Sequence, residues 1–300
     1  MKVFVCGGSG FVGTRLTAYL LEQGHEVVAL GTSKTSRIAE ESNYRYISAD
    51  ASEVGDWQAE LADVDAVVNL AGKNIFNRWT DSYKKSIYDS RVLTTRNIVD
   101  GLPDSKPVLL CSTSAVGFYG NRGDEKLDEN STAGEGFLAT VGQDWEKEAL
   151  QAEQKGHRVA LMRFGIVLGK GGGAMAKMLP AFKMMVGGPL GDGRQWFPWI
   201  HMDDVIGAID FIFKNKQMQG PINFTAPNPV QNREMAKTLG RVLLRPAFMP
   251  TPAFMIRLAM GELGDTLLDS QRAVPGRLLQ NGYSFQYPDL EPALRQIVAS

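Results

Sequence analysis

Cysteine, histidine and net charge are all scarce in this chain, and each scarcity removes a class of protein. Two cysteines in 300 residues, Cys6 and Cys111, cannot staple a disulfide framework. Both end apolar strand-like runs, where buried, reduced thiols are expected. The three histidines show no H-x-x-x-H spacing and the cysteines no C-x-x-C, so no metal site is expected. Basic and acidic residues number 32 and 33, a net charge of -1. That balance gives neither nucleic acid nor an anionic membrane surface an electrostatic footing. No apolar run is long enough to span a bilayer. The first strand-like run follows Met1-Lys2 at once and leaves no length for a leader, so a cytoplasmic protein is expected. Repeats and low-complexity tracts are absent as well.

Against that plain background stands one dense motif, GGSGFVG from Gly7 to Gly13. The apolar run Val3-Phe4-Val5-Cys6 precedes it, and a helical apolar spacing begins at Phe11. A glycine-rich turn between a strand and a helix is a dinucleotide-binding fingerprint. Gly7 and Gly10 let the turn close and let backbone N–H groups approach a pyrophosphate. Gly13 permits close helix–sheet packing, and the helix start across Phe11 and Val12 favours the phosphate charge.

Strand-like runs recur at Glu26 to Leu30, Tyr44 to Ile47, Ala66 to Leu70, Pro107 to Cys111 and Val159 to Arg163. Helical patterns intervene, notably Asp81 to Gly101 and Gly136 to Lys155. This alternation predicts an α/β fold, a Rossmann-type doubly wound parallel sheet. After Arg163 glycine-rich breaks and methionines change the texture. Residues 1–165 are therefore expected to form an NADP-binding domain and 166–300 a smaller C-terminal substrate lobe. In the segment from Gly171 to Met185 the methionines either face a core or line an adaptable apolar pocket. Arg194, Gln195, Trp196 and Trp199 are the expected polar and aromatic wall of such a pocket. Asp203 or Asp204 is expected to cap the next helix, with His201 packed nearby.

The second strand decides which dinucleotide. An NAD site usually carries an acid at its end, for the ribose 2′-OH. Here the chain reads Gly31-Thr32-Ser33-Lys34-Thr35-Ser36-Arg37, and the nearest acid downstream is Glu40. Thr32, Ser33, Lys34 and Arg37 suit a 2′-phosphate through charge-assisted hydrogen bonds, so NADP is the expected cofactor. A solvated basic loop is the other reading. Asp50, where the third strand stops, either accepts from the adenine amino group or closes a turn. Leu70, Ala71 and Gly72 offer backbone and small side chains beside a cofactor ribose, or simply a tight strand exit.

Three further segments carry a resemblance: Asn77-Arg78-Trp79 with Ser90-Arg91, Asp144-Trp145-Glu146, and GGPLGDGRQWFPWIHMDD from Gly187 to Asp204. With the glycine motif, Asn69-Leu70-Ala71-Gly72 and the run Ser112 to Gly120, the chain resembles the short-chain dehydrogenase/reductase superfamily. It is most similar to the atypical "epimerase family" members of its extended, nucleotide-sugar-epimerase-like branch, over essentially its whole length. The resemblance implies an NADP-type cofactor on Gly7 to Gly13, Thr32 and its neighbours, and Leu70-Ala71. It also implies that Arg91 reaches the cofactor and that the backbone near Val167 meets the nicotinamide. Read from the residues alone, a helical arginine is also an ordinary paired surface group.

That superfamily moves a hydride with a tyrosine as acid or base, a lysine four residues later and a serine on the substrate oxygen. None of the eight tyrosines here has a lysine four residues on. Where the pair is expected, the chain reads Leu138-Ala139-Thr140-Val141-Gly142. Ser114 matches the serine position, to orient a carbonyl or hydroxyl or else to cap its loop. Tyr119 is the candidate proton donor, or a ring packed at the loop base. The expected function is an NADP(H)-dependent oxidoreductase acting on a small carbonyl or hydroxyl substrate. The alternative from another class is a non-catalytic NADP(H)-binding regulator or scaffold, which the missing pair favours.

Overall fold

The computed structural model describes residues 1–39 and 41–299; Glu40, noted above, lies outside the described residues. Seven parallel strands make the central sheet. They are β1 (Lys2–Cys6), β2 (Glu26–Gly31), β3 (Tyr44–Ser48), β4 (Ala66–Asn69), β5 (Leu109–Ala115), β6 (Arg158–Phe164) and β7 (Gly220–Phe224). Their spatial order is β3-β2-β1-β4-β5-β6-β7. The order reverses between β1 and β4, and a crevice for ligands opens at the carboxyl ends of the strands beside such a switch point.

The helices are α1 (Phe11–Glu22), α2 (Asp81–Gly101), α3 (Phe137–Gln154), α4 (Gly173–Lys183), α5 (Met202–Lys214), α6 (Asn232–Leu243) and α7 (Ala253–Met260). Three shorter ones follow, α8 (Glu262–Thr266), α9 (Gly276–Gln280) and α10 (Leu290–Ala299). Strand β1 is apolar at successive positions because helices cover both faces of the sheet. Val3 and Val5 pack with Leu16 and Leu20 of α1 and with Val205 and Ile209 of α5. Phe4 and Cys6 pack on the other side with Ile98 of α2 and Ala149 of α3. Burial drives the thiols of Cys6 and Cys111 up to about 12, so both stay protonated and unreactive. A separate cluster, the lobe core, joins Phe182 of α4, Trp199, Met235 and Leu239 of α6, and Leu294 of α10.

Three features depart from the sequence pattern. β5 runs on past Cys111 to Ala115, so Ser112, Thr113 and Ser114 belong to a strand between β4 and β6, not to a loop. The last strand, β7, comes from Gly-Pro-Ile-Asn-Phe, beyond residue 165. Its Pro221 is tolerated because β7 is an edge strand. Helix α5 is capped by His201, whose Nδ1 accepts the Asp203 N–H at 3.1 Å. Asp203 and Asp204 lie inside its first turn instead. The Asp204 carboxylate accepts the N–H groups of Gln286 (2.7 Å) and Tyr287 (3.0 Å) and ties down the C-terminal segment.

Candidate functional site

The glycine turn leaves β1 at the switch point. Gly7 has φ +83, and a Cβ there would sit 2.9 Å from the Leu70 carbonyl carbon. A Cβ at Gly13 would sit 2.1 Å from the Gly7 oxygen, so neither position accepts a side chain. Leu30 O anchors the turn by accepting from Gly7 N (2.8 Å) and Gly8 N (2.9 Å). Gly10 caps α1 without a side chain, and the N–H groups of the first turn, at Phe11, Val12 and Gly13, have no acceptor within the helix. Beside this turn lies a cavity of about 580 Å³ lined by Gly7, Gly10, Thr32, Asp50, Leu70, Ala71 and Gly72. The Phe11 ring points elsewhere. It fills the space where Gly172 and Gly173 would carry a Cβ, and so joins the motif to the lobe. Val12 packs half-buried against the core.

The loop after β2 is exposed from Thr32 to Thr35 and again at Arg37. Two tyrosines of β3 hold it from beneath. Tyr46 donates to Ser33 O at 2.8 Å, and the Ser36 and Tyr44 hydroxyls meet at 2.6 Å. Among the described residues, Lys34 and Arg37 have no carboxylate partner. Thr32 lines the cavity, while Ser33, Lys34 and Arg37 extend the loop beyond it. Asp50 closes a turn at the border of the cavity. Its Oδ1 accepts from Ser52 N (2.9 Å) and Ser52 Oγ (2.7 Å).

Arg91 stands behind the opposite wall. Its guanidinium donates to Ile87 O (3.0 Å) and Lys73 O (3.1 Å) and lies over the Trp145 ring. A Cβ on Gly72 would come within 3.2 Å of it. Burial lowers its pKa to about 10, and among the described residues no carboxylate pairs with it. A desolvated, unpaired cation is costly, and an anion placed nearby offsets that cost. Val167 is farther off. It lies in the short strand Ile166–Leu168, opposite Ile200 of Trp199–His201, and does not line the 580 Å³ cavity.

Ser114 and Tyr119 do not face that cavity. Both are fully buried, in a network that closes on itself. Ser114 donates to Glu146 Oε1 at 2.7 Å. Arg163, opposite Ser114 on β6, grips the same carboxylate with Nε (2.7 Å) and Nη2 (2.8 Å). Its Nη1 donates to the Tyr119 hydroxyl at 2.9 Å. That hydroxyl directs its own proton toward Asn223 Oδ1 (2.7 Å) and Asp128 O (2.9 Å). The Phe118 ring lies 3.7 Å from the guanidinium. Burial pushes the Tyr119 pKa up, which Arg163 only partly offsets, so the phenol stays protonated. Burial also opposes the Arg163 charge, but Glu146 outweighs it and the pKa is raised. This placement differs from a loop that presents a serine and a tyrosine to substrate, because every hydroxyl proton is already committed. Of the parts that commit them, Glu146 enters the sequence reading only within Asp144-Trp145-Glu146 and with no role, and Arg163 and Asn223 are not candidates there.

A second cavity, of about 400 Å³, lies in the lobe between α4, α6 and the short strand Trp196–Phe197. Met178 and Phe182 of α4 line it, with Phe197 and Met235. The expected wall from Arg194 to Trp199 forms elsewhere. Trp199 is buried in the lobe core, the Trp196 indole donates to Asp124 at 2.8 Å, and Gln195 donates to Leu190 O at 3.1 Å. Among the described residues no helix is long and apolar enough to cross a membrane.

Comparison with known proteins agrees with this architecture. An epimerase family protein of Bacillus subtilis, YfhF, is 39% identical over 302 residues, covering 100% of this chain and 98% of its own. A chloroplastic epimerase family protein SDR39U1 homolog of Arabidopsis thaliana is 41% identical, covering 99% of this chain and 87% of its own. The crystal structure of human epimerase family protein SDR39U1 with NADPH matches with a TM-score of 0.86 at 32% identity, across 100% of both chains. Residues 251–297 match a domain of unknown function, DUF1731. Residues 3–224, which carry all of the sheet but its first residue, match the model of one family, and the chain thus belongs to the NAD-dependent epimerase/dehydratase family.

Proposed function

We propose that this chain is an NADP(H)-dependent oxidoreductase acting on a carbonyl or hydroxyl group of a small molecule. The observation that carries the reading is the cleft itself: a side-chain-free glycine turn, flanked by Lys34 and Arg37, which lack carboxylate partners among the described residues. A dinucleotide with a 2′-phosphate matches that donor set. Backbone N–H groups at Phe11, Val12 and Gly13 would take the pyrophosphate, with Gly7 and Gly10 leaving room for its approach, and Thr32, Ser33, Lys34 and Arg37 the 2′-phosphate. Asp50 would accept from the adenine, Leu70, Ala71 and Gly72 would border a ribose, and Arg91 would supply positive charge behind that wall. Val167 would meet the nicotinamide. The human relative solved with NADPH supports the same cofactor. Such a cofactor, when bound, supplies two-electron hydride chemistry to a carbonyl carbon.

A second reading, a non-catalytic NADP(H)-binding regulator or scaffold, is favoured by one observation. The Ser114 and Tyr119 hydroxyls are consumed by Glu146, Arg163 and Asn223.

Calorimetric titration with NADPH and NADH tests both. The wild-type chain is expected to prefer NADPH, and the Lys34→Ala/Arg37→Ala variant to lose about tenfold or more in NADPH affinity with NADH binding unchanged. Equal affinity for the two would remove the 2′-phosphate assignment. Binding of neither would overturn both readings. NADPH binding without consumption across a carbonyl panel would select the regulator.

A further inference from the structure

The nucleotide cleft accounts for one end of the site and leaves the lobe cavity without a role. We infer that this second cavity is the substrate pocket and that it takes a mainly apolar ketone, aldehyde or corresponding alcohol, not a nucleotide sugar. The inference rests on the NADP(H) reading for its chemistry, and on the cavity's own walls for its ligand.

Position comes first. The segment leaving β4 lines the nucleotide cavity through Lys73 and the lobe cavity through Phe76, so one stretch of chain partitions the two. On the other side Ile166 lines the lobe cavity and is adjacent in sequence to Val167, the residue proposed to meet the nicotinamide. A molecule in the lobe cavity would therefore lie beside the backbone of Ile166–Leu168, which the NADP(H) reading sets against the nicotinamide.

The walls then set the class. Met178, Phe182, Phe197 and Met235 present thioethers and rings, surfaces that adapt to apolar ligands of varied shape. Gly187 lies against the Phe182 ring, where a Cβ would come within 2.5 Å, and this contact fixes the ring in the wall. Among the described lining residues, Lys177 alone is charged, and it is exposed. Asn232 has its Oδ1 already occupied by the Leu190 N–H at 2.8 Å. A nucleotide sugar brings a doubly charged diphosphate, two sugars and a base, and each polar group removed from water needs a partner. The lobe cavity's polar side chains are Lys177, Asn232 and Thr251, too few for that load. An apolar carbonyl compound needs few, and about 400 Å³ is within the range of small-molecule pockets.

The experiment is calorimetric titration of the NADPH-saturated chain with two apolar ketones, benzylacetone and geranylacetone, and with UDP-glucose. The comparison protein is Ala181→Trp, which places an indole in the cavity from α4. The wild-type chain is expected to bind at least one ketone saturably and to show no binding of UDP-glucose. Ala181→Trp is expected to weaken ketone binding by about tenfold or more while NADPH affinity stays the same, which also shows that the variant is folded. UDP-glucose binding that Ala181→Trp abolishes would overturn the inference. So would ketone binding indifferent to that substitution, or no binding of either ketone. If NADPH itself fails to bind, the cofactor reading falls alone, because the ketone titrations of the unliganded chain still report on the pocket.

Discussion

Two polar regions sit at the carboxyl ends of the same sheet, and they are built on opposite principles. Around β1, β2 and β4 the polar groups are left open. Helix α1 starts with N–H groups that have no acceptor in the helix, and Lys34, Arg37 and Arg91 have no carboxylate partner among the described residues, although Arg91 donates to the Ile87 and Lys73 carbonyls. Around Ser114 of β5 and Arg163 of β6 one polar network is closed, although the neighbouring buried hydroxyls of Ser112 and Thr113 have no hydrogen-bond partner. Ser114, Glu146, Arg163, Tyr119 and Asn223 satisfy one another, with a bidentate ion pair at the centre. Unsatisfied polar groups beside a cavity hold free energy in reserve for a ligand, whereas a closed network spends it on the fold. The comparison teaches that a serine and a tyrosine at the expected places in a sequence can be tied into the fold by their neighbours instead of facing the cavity.

The most severe way to break the closed region is Glu146→Ala. Removing one partner of a buried ion pair strands Arg163 without a counter-charge and frees the Ser114 hydroxyl. A loss of about 3–5 kcal/mol is expected in urea denaturation. A loss below about 1 kcal/mol would mean that water reaches Arg163, and the two regions would then differ less than the structure indicates.

The open region breaks in another way. Gly7→Ala forces a side chain onto a left-handed backbone and against the Leu70 carbonyl. About 2 kcal/mol of stability should go, by the strain expected at such a position. NADPH affinity should fall by tenfold or more as Leu70 and Ala71 are displaced from the cleft (tenfold is about 1.4 kcal/mol). Stability lost without any change in affinity would show that the turn serves only the fold.

Much of the open region was legible because its signal is local. Strand, glycine turn and helix follow within Lys2 to Glu22, and the basic loop lies directly after β2. The Asp81–Gly101 helix was equally plain from its spacing. The closed region is assembled from residues up to 104 positions apart, as between Tyr119 and Asn223, and no spacing rule joins them. A weaker clue did exist. Arg163 follows directly on the apolar run Val159 to Met162 in its strand, and Glu146 lies on the buried side of α3 next to Trp145. Two opposite charges at core positions usually find each other. The strand end was missed because Ser112, Thr113 and Ser114 are small and polar, so the apolar run stops at Cys111 although neighbouring strands keep the chain extended. The lobe cavity was half visible in the methionines of α4. Phe197 and Met235, however, arrive from separate segments that only the fold brings together.

Tyr119→Phe is the mildest substitution and the sharpest divider between the regions. It keeps the ring that packs at right angles against Phe118 and removes only the oxygen that links Arg163 to Asn223. Arg163 keeps its bidentate pair with Glu146, so its charge stays compensated and the cost is one hydrogen-bond node, about 1 kcal/mol. NADPH affinity should not change, since the hydroxyl lies outside the 580 Å³ cavity. The opposite pattern, unchanged stability with a tenfold loss of NADPH affinity, would move Tyr119 into the cleft. The same substitution separates the two functional readings once a substrate is turned over. A phenol that stays protonated because it is buried, and whose proton is held by Asn223 and Asp128, has none to donate, so turnover should change no more than stability does. A hundredfold fall in turnover at intact stability would require the network to open during the reaction, and Tyr119 would then be the missing acid.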